Sequence, residues 1–467
     1  MYIKYVLRKK PLPLQPEINQ LFYDMKKHLL LTVLAWSAMT ATHAGGLMTN
    51  TNYHIAFDRM MARGATFDID AAYSNPAGLA WGHEGWQLSL NFQKPWQYRD
   101  IKAVTAGGEH TYEGKASAPI VPALFASYKH DRWALSTMIG IVGSGGFVEY
   151  KEGVPMFNML MTSLLAGNNI LPGTYALDSE MKGKQYIYGG QLNFTYKLLD
   201  CLAVAAGMRV NYYDGYYRGH VKATDHPQLG QLAALLLDVD QKGWGFTPHV
   251  SVNFHQGPLT LTARYEFRTK IETENETNVL DRSLGTNVIK MMAATPGGPE
   301  TLAAIDNNLK GYTAAYEDGA KTRYDMPALL SLAAGYEFSD KLRATLEYHF
   351  FDDKNAKMAG NRQEELKHGT HEILAGIEYD INQKFTVSCG AQRTDYGLSD
   401  GYQQDTSFAC DSYSIGLGGA WNINEKLRLN AGYFITLYSD YEKPASYGSE
   451  VFSRTNNVIG LGIDYKF

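Results

Sequence analysis

The chain has 467 residues, a formal net charge of −5 and a mean hydropathy of −0.29. The weak negative charge gives no basis for nucleic-acid binding, and the polar average excludes a membrane protein built from apolar helices. A β-barrel can be this polar and still cross a membrane, because only every second strand residue meets lipid. The 32 tyrosines and 45 glycines favour one large β structure over several soluble domains.

The first 44 residues are typical of a secretory leader. A basic stretch at residues 25–28 precedes an apolar run at 29–39, and small residues follow up to Ala44. This order is that of a signal peptide, and the run is too short for a spanning helix. We expect cleavage after Ala44 and a start at Met25, with residues 1–24 as an upstream extension. The alternative is a cytoplasmic segment that precedes a membrane anchor.

Residues 45–85 follow, and they show no strand periodicity. They contain Asn75-Pro76-Ala77. Proline fixes its own φ and keeps the preceding residue out of the α region, so a rigid turn is predicted, and we expect the Asn75 side chain to hydrogen-bond within it. An irregular backbone of this length cannot lie in lipid. The lumen of a large barrel is the natural place for it, as a plug, which we call the hatch (residues 45–85).

From residue 86 onward, apolar residues recur at every second position. Examples are Trp86, Leu88, Leu90 and Phe92, then Leu259, Leu261, Ala263, Tyr265 and Phe267, then Leu427, Leu429, Ala431, Tyr433, Ile435 and Leu437. Alternation predicts strands with one apolar and one polar face, which suits either a soluble sandwich or a membrane barrel. The connections favour the barrel, because tight turns alternate strictly with long loops.

The tight turns are predicted near residues 129–131, 199–200, 255–257, 339–341, 382–384 and 422–425, and the long connections at 94–119, 143–184, 218–242, 273–322, 352–369, 398–407 and 439–452. This count gives an antiparallel transmembrane β-barrel of about 14 strands, an even number as in bacterial barrels, over residues 86–467. The fold class is therefore all-β.

The last strand ends in alternating apolar residues from Ile459 to a terminal Phe467. This pattern is typical of the signal that the barrel-assembly machinery reads in Gram-negative bacteria. We therefore expect a multi-pass barrel in the cell outer membrane, surrounded by outer-membrane lipid.

A resemblance to a known family is carried by residues of the hatch. They are Gly46-Leu47-Met48-Thr49-Asn50-Thr51-Asn52, Ala62-Arg63, Asp68-Ile69-Asp70-Ala71 and Asn75-Pro76-Ala77-Gly78-Leu79. This stretch resembles the N-terminal hatch of the FadL family, outer-membrane transporters of long-chain fatty acids and other hydrophobic compounds. The resemblance implies a 14-stranded barrel, Asn75, Pro76 and Ala77 as the hatch motif, and apolar outer loops as a first binding site. It also implies a lateral exit beside a kinked strand; Gly140, Gly143, Gly145 and Gly146 are compatible with such a kink.

Two predicted loops are apolar without an evident reason. Residues 229–237 include Leu232, Leu235 and Leu236, with a spacing that allows a short amphipathic helix, and the next long loop contains Met291 and Met292. Exposed apolar patches mark binding sites, and methionines adapt to varied ligands. The two loops either pack on each other to cap the barrel or share a groove that captures a lipophilic molecule.

Arginines on the polar strand faces are candidates for a carboxylate ligand. Arg209 and Arg264 are predicted to face the lumen, and a guanidinium pairs with a carboxylate through two hydrogen bonds. The alternative is an internal ion-pair network with Glu266, Glu347 or hatch acids. The sequence leaves both interpretations open.

No catalytic constellation is recognisable: there is no G-x-S-x-G nucleophile elbow, and H-E-x-x-H and a P-loop are missing from the sequence. His368 and His371 have no cysteine or carboxylate set around them, so no metal site, cofactor or enzyme activity is predicted. The predicted function is uptake of hydrophobic molecules, above all long-chain fatty acids, by loop capture, hatch rearrangement and diffusion. The alternatives are a general porin or structural barrel, which has no use for apolar loops, and an outer-membrane lipase, which needs a Ser-His-acid cluster.

Overall fold

The computed structural model describes residues 46–105, 108–167, 170 and 172–467. The predicted signal peptide and its cleavage after Ala44 lie outside the described residues. One antiparallel sheet closes on itself into a barrel of 14 strands that run from one end of the wall to the other. We call each of these full-length strands a stave, because some of them are split into two shorter segments. The predicted all-β membrane barrel with an N-terminal hatch in its lumen is confirmed.

The sheet contains 19 strand segments among the described residues. The first ten are β1 (Gly85–Thr105), β2 (Gly108–Tyr112), β3 (Gly114–Ser117), β4 (Val121–His130), β5 (Trp133–Tyr150), β6 (Ala176–Leu199), β7 (Leu202–Thr224), β8 (Ala233–Gln256), β9 (Leu259–Glu266) and β10 (Glu272–Leu284). The remaining nine are β11 (Lys321–Arg323), β12 (Leu329–Ser339), β13 (Leu342–Phe351), β14 (Thr370–Asp380), β15 (Phe385–Asp395), β16 (Ser412–Asn422), β17 (Leu427–Tyr438), β18 (Tyr441–Ala445) and β19 (Gly448–Lys466).

Interrupted staves reconcile these segments with 14 staves. Segments β3 and β4 both pair with β1 and β5 and form one stave. Likewise β9 with β10, and β11 with β12, each form one. Segments β2 and β18 only extend hairpins at the loop end. The barrel closes where β19 pairs with β1, from Gln87 opposite Lys466 to Thr105 opposite Gly448.

The wall is apolar outside and polar inside. On β6, Leu192 and Phe194 are 63% and 51% exposed, whereas the alternate residues Gln191, Asn193 and Thr195 are buried. A soluble sandwich buries its apolar face, so this orientation is that of a barrel in lipid. We call the end with the short turns the turn end and the end with the long connections the loop end; short turns are periplasmic in such barrels.

Helices occupy both ends of the lumen. The hatch contains α1 (Ile55–Met60), α2 (Ala71–Ser74) and a 3₁₀ helix (Pro76–Trp81). The loop end contains α3 (Pro155–Ala166), α4 (Thr286–Ala293), α5 (Gly298–Thr313) and the 3₁₀ helices Ala314–Tyr316, Asp353–Asn355 and Ala359–Glu365. Pro155 and Pro299 lie at the starts of their helices. Proline is tolerated there because the backbone N–H that it lacks would have no acceptor within the helix. Over the described ranges, no helix is long and apolar enough to cross a membrane.

The strands run further at the loop end than predicted. Strand β7 continues to Thr224 and β8 begins at Ala233, so the predicted connection 218–242 shrinks to residues 225–232. The interpretation of residues 229–237 as a short amphipathic helix is wrong, since β8 begins at Ala233. Leu236 pairs with His220 on one side and Asp281 on the other, and a ladder on both sides satisfies the backbone as a strand.

Candidate functional site

The hatch is seated on a part of the wall that lacks side chains. Helix α1 packs against β14, β15, β16, β17 and β19, where glycines face it. A Cβ placed on Gly390 or Gly376 would lie 1.9 or 2.1 Å from the carbonyl oxygen of Met60, and one on Gly416 would lie 2.4 Å from that of Asp58. Only glycine permits so close an approach of two backbones.

Ion pairs hold the same helix. Arg59 pairs with Glu378 and donates to Ser388 Oγ at 2.7 Å. The backbone N–H groups of Arg63 and Gly64 both donate to Glu347 Oε2, at 2.9 and 2.8 Å. Charge-assisted bonds of this kind are stronger than neutral ones, so the turn-end half of the lumen holds the hatch firmly.

Asp58 is the exception in this seat. Its carboxyl is fully buried, and neither oxygen makes a hydrogen bond to a described residue. Burial raises the pKa of Asp58 well above its usual range, so the hatch helix favours the neutral acid at this position.

The predicted hatch motif contacts the opposite wall through its backbone. Pro76 begins the 3₁₀ helix Pro76–Trp81, its carbonyl accepts from Thr195 Oγ1 at 2.8 Å, and the Ala77 N–H donates to Ser251 Oγ at 3.0 Å. The Asn75 side chain makes no hydrogen bond to a described residue, so the expectation that it bonds its own turn is wrong; the turn is closed by Gly78 N to Asn75 O, at 2.8 Å.

The wall is interrupted between the second and third staves. Pairing of β4 with β5 stops at Leu124 opposite Ile139, and pairing of β3 with β5 resumes at Ser117 opposite Phe147. The register of β5 with β6 also shifts between Ile141 and Gly146, within the glycine-rich stretch for which the resemblance suggested a kink. Residues 118–123 and 140–146 do not pair with each other, although each stretch pairs in part with its other neighbour, and the gap between them forms a break in the wall.

The first residues of the hatch lie against this break. Asn50 donates from its backbone N–H to Val142 O at 3.1 Å and from Nδ2 to Ile141 O at 3.3 Å, and the Tyr53 hydroxyl donates to Val142 O at 3.1 Å. The cavity that remains there measures about 10 Å³, which admits no hydrocarbon. Hatch residues therefore close the break.

The loop-end half of the lumen is apolar. A single cluster of buried residues joins the strand ends to the loop helices; we call it the loop-end cluster. Its members include Ile101, Tyr150, Phe157, Met161, Leu165, Tyr217, Leu232, Leu235, Leu237, Val288, Met292, Ile305, Leu309, Phe408, Cys410 and Phe452. Helix α3 contributes one face to it, through Phe157, Met161 and Leu165.

The predicted loop residues separate into two groups. Leu232 and Leu235 are 0% and 5% exposed and belong to the loop-end cluster, as does Met292. Leu236 lies on the outward face of β8 and is half-buried, and Met291 is 40% exposed on α4. The structure thus brings three of the five together and leaves two outside.

The predicted arginines lie in an ion-pair network with Glu266. Arg209 Nη2 is 2.6 Å from Glu266 Oε2, and Arg264 Nη1 is 3.0 Å from Glu266 Oε1. Arg264 also donates to the carbonyl of Tyr73 in the hatch, at 2.5 Å. Both guanidinium groups therefore have a carboxylate of the protein itself as partner.

The role of two groups of residues was not predicted from the sequence. Helix α3 was treated as part of a long connection, although the i, i+4 spacing of Phe157, Met161 and Leu165 is a helix signal. Asn50 and Tyr53 carry no motif, and only the fold shows that they meet the break. Within the part of the chain that is described, no group of three or more His, Cys, Asp or Glu residues could hold a metal ion.

Comparisons with known proteins agree with this architecture. A family model described as "Outer membrane protein beta-barrel domain" matches residues 291–467. A search of curated proteins found no match. Among solved structures, the chain is similar to a Pseudomonas aeruginosa FadL homologue, with a TM-score of 0.63 and 16% identity over 91% of this chain and 100% of the other.

Two toluene transporters have the same fold. The Pseudomonas putida transporter TodX aligns with a TM-score of 0.58 and 13% identity over 91% of this chain and 100% of its own. The Ralstonia pickettii transporter TbuX aligns with a TM-score of 0.53 and 13% identity over 89% of this chain and 98% of its own. At these identities the likeness establishes a shared fold.

Proposed function

We propose that this chain, which has the fold of the FadL-type channels, is an outer-membrane uptake channel for hydrophobic molecules, with long-chain fatty acids as the first candidate. The observation that carries the proposal is the loop-end cluster: a large apolar interior stands at the outer mouth of an otherwise polar lumen. A barrel that passes only ions or sugars gains nothing from such an interior.

Capture takes place at the loop end. Leu232 just before β8, Leu235 on β8, Phe157 on α3 and Met292 on α4 belong to one cluster, although they come from three separate parts of the chain. Helix α3 and the α4–α5 pair are the elements that can separate to admit a chain. Methionine and leucine side chains suit ligands of varied shape. This agrees with the similar structures, one of which is described as a FadL homologue and another as a toluene transporter.

Release takes place through the break in the wall. The hatch residues that close it are bound by hydrogen bonds to Ile141 and Val142, whereas α1 is held by buried ion pairs on the opposite side. The weakly held part of the hatch therefore moves while the strongly held part stays. A molecule that leaves sideways enters the membrane and needs no aqueous path.

The two alternatives fit the site less well. A general porin keeps an open aqueous lumen, whereas here the hatch fills the turn end and apolar side chains fill the loop end. A lipase needs a nucleophile, a base and an acid in hydrogen-bond contact. The buried histidine His349 instead lies between Glu347 and Glu372, at 2.7 and 2.9 Å, with no serine bonded to it among the described residues.

Uptake of labelled oleate by cells that lack their own channel tests the proposal. Expression of this protein should raise uptake, and Leu232→Asp with Leu235→Asp should abolish most of the gain, since each buried leucine contributes roughly 1.5–3 kcal/mol of apolar transfer. Leu236→Asp is the control, because it places an aspartate next to Leu235 but on the outward face of β8. Equal uptake by the double variant and the control would contradict the proposal.

A further inference from the structure

One connection of the barrel turns back into the lumen. Residues 396–411 join β15 to β16, and residues 402–410 among them are all buried. Polar side chains of the segment are buried with the rest: Gln403, Asp405 and Ser407 are 1%, 5% and 1% exposed. Connections normally run over the surface, where water satisfies their polar groups. This one crosses the interior instead, and we call residues 396–411 the strap.

The strap lies between two apolar regions. Phe408 and Cys410 of the strap belong to the loop-end cluster. A second cluster of buried residues, which we call the hatch-side cluster, joins the strap to the hatch and to the break in the wall; its members include Met48, Tyr53, Val142, Ile187, Tyr402 and Ala409. Neighbouring residues of one short segment therefore face two separate apolar regions, so the strap is a partition between them.

Polar residues of the wall continue this partition. On the inward face of β6, Gln185 is fully buried and lies between Met181 of the loop-end cluster and Ile187 of the hatch-side cluster. On β8, the buried Gln241 donates from Nε2 to Asn275 Oδ1 at 2.8 Å. A hydrocarbon chain offers no hydrogen bond to such groups, so a layer of them is unfavourable for it to cross.

Arg362 holds the strap from the connection between β13 and β14. It is buried, and it donates from Nη1 to the carbonyl of Ser407 at 2.7 Å and from Nη2 to Ser407 Oγ at 2.9 Å. Its guanidinium carbon also lies 4.4 Å from the centre of the Tyr402 ring. One arginine thus fixes both the backbone and the aromatic side chain of the strap.

Two further cations bind the strap from other parts of the barrel. Arg99 on β1 donates from Nη2 to the carbonyl of Phe408 at 2.8 Å, and its buried Nη1 makes no hydrogen bond to a described residue. Lys443 on β18 donates to the carbonyl of Gln403 at 2.9 Å. The strap oxygens in these contacts are neutral, whereas α1 of the hatch is held by carboxylates. Bonds between two charged groups are the stronger kind, so the strap is easier to displace than α1.

The strap also supports helix α3. Asp405 accepts a hydrogen bond from the Met156 N–H in the first turn of α3, at 2.6 Å. No side chain of α3's own N-cap residue, Val154, makes such a bond, so the strap supplies the cap. Displacement of the strap therefore also loosens the start of a helix that contributes to the loop-end cluster.

We propose that the strap is an inner gate: a molecule captured in the loop-end cluster reaches the hatch-side cluster, and through it the break in the wall, only when residues 396–411 move aside. The inference rests on the proposed function and divides it into two steps. Capture depends on the loop-end cluster, and transfer depends on the three cations that hold the strap closed.

Arg362→Gln tests the gate through two separate readouts. Affinity of the purified protein for oleate reports capture, and uptake of labelled oleate by cells at saturating concentration and equal protein level reports transfer. The change removes the charge that holds the strap, so uptake should rise roughly 5-fold or more while the affinity stays at the wild-type value. Arg362→Lys should give an intermediate rise. A loss of affinity together with uptake would make the strap a structural element and would overturn the inference.

Lys443→Gln releases a second anchor and should act in the same direction, which keeps the test decisive if Arg362→Gln does not fold. Arg282→Gln is the control, because Arg282 is a loop-end arginine whose partner is Glu317, at 2.6 Å, and not the strap. Heat-resistant migration of each barrel verifies folding. Wild-type uptake in both anchor variants, or an equal rise in Arg282→Gln, would overturn the gate and leave the proposed function standing. A wild-type protein that takes up no oleate would overturn the proposed function itself.

Discussion

At the turn end of the lumen Arg209 and Arg264 share the carboxylate of Glu266, whereas at the loop end Arg99 faces a carbonyl and an aromatic ring. Both groups are buried, and both lie on the inner face of the same sheet. The surroundings differ: polar side chains and the hatch fill one half, and the loop-end cluster fills the other. Equal burial therefore has two outcomes, a closed ion-pair network and a cation with an open hydrogen-bonding position.

The difference indicates a division of labour along the barrel axis. The turn-end half satisfies its charges internally and holds α1 on a glycine wall, so it acts as a fixed seat. The loop-end half buries apolar side chains from α3, α4 and the strand ends around a cation, so it can exchange its own contacts for those of a ligand. Four predictions test this division, in order of decreasing effect.

The largest effect is expected from Glu266→Gln. This change leaves Arg209 and Arg264 buried without their carboxylate, and breaking a buried pair costs about 3–5 kcal/mol. The midpoint of denaturant unfolding should fall strongly. Glu276→Gln breaks an exposed pair with Lys242 and should change the free energy of unfolding by less than about 1 kcal/mol, so its midpoint should stay close to that of the wild type. Similar midpoints for the two variants would contradict the fixed seat.

The second effect concerns the glycine wall. Gly390→Val places a side chain where the Met60 carbonyl lies, and overpacking costs typically about 1–3 kcal/mol or more. Helix α1 should leave its seat, and small polar dyes should enter cells faster. Gly190→Val is the control, because a Cβ at Gly190 meets nothing within 4 Å. Wild-type permeability of Gly390→Val at equal protein level would show that the close seat is not needed.

The third effect concerns the break in the wall. Asn50→Ala with Tyr53→Phe removes two hydrogen bonds to β5, a loss of about 1–3 kcal/mol, which lowers the ratio of closed to open molecules by roughly 5- to 150-fold. Entry of hydrophobic antibiotics should rise while the unfolding midpoint stays constant. Ser74→Ala, which removes a hydrogen bond inside the hatch only, is the control. A rise of equal size in both would place the gate elsewhere.

The smallest effect concerns pH at the loop end. Burial, with Glu450 nearby, raises the pKa of Asp405 to about 7, and Lys443, Tyr447 and Tyr112 face the same carboxyl region. Because the folded-state pKa is raised, the contribution to stability is complete below the ordinary pKa of about 4 and is lost as the pH rises through about 7.

Helix α3 should therefore be held more firmly at pH 5 than at pH 8. Amide hydrogen exchange in Pro155–Ala166, corrected for the intrinsic rate, is expected to rise a few-fold between these values. Asp405→Asn should remove the dependence, while amides of β14 serve as an internal reference. An exchange rate independent of pH in the wild type would contradict the assignment.

The fold was largely predictable from the sequence, because lipid outside and polar side chains inside impose a strict period of two on residues such as Leu192 and Phe194. The Asn75-Pro76-Ala77 turn indicated the hatch for a local reason. The site was less predictable. Leu235 and Leu236 look alike in sequence, and only strand register places one inside and one outside. Arg99 fell within a predicted loop, so its inward parity was not visible until β1 was seen to continue to Thr105.

A structure of the protein with a brominated long-chain carboxylic acid tests the division between the two halves most directly. Anomalous scattering from a bromine at the tail end locates the ligand without ambiguity. The account predicts elongated density among Phe157, Leu232 and Leu235, with the Arg209–Glu266 pair intact. Density that lies at the turn end beside Arg209, or only on the lipid face of the barrel, would contradict it.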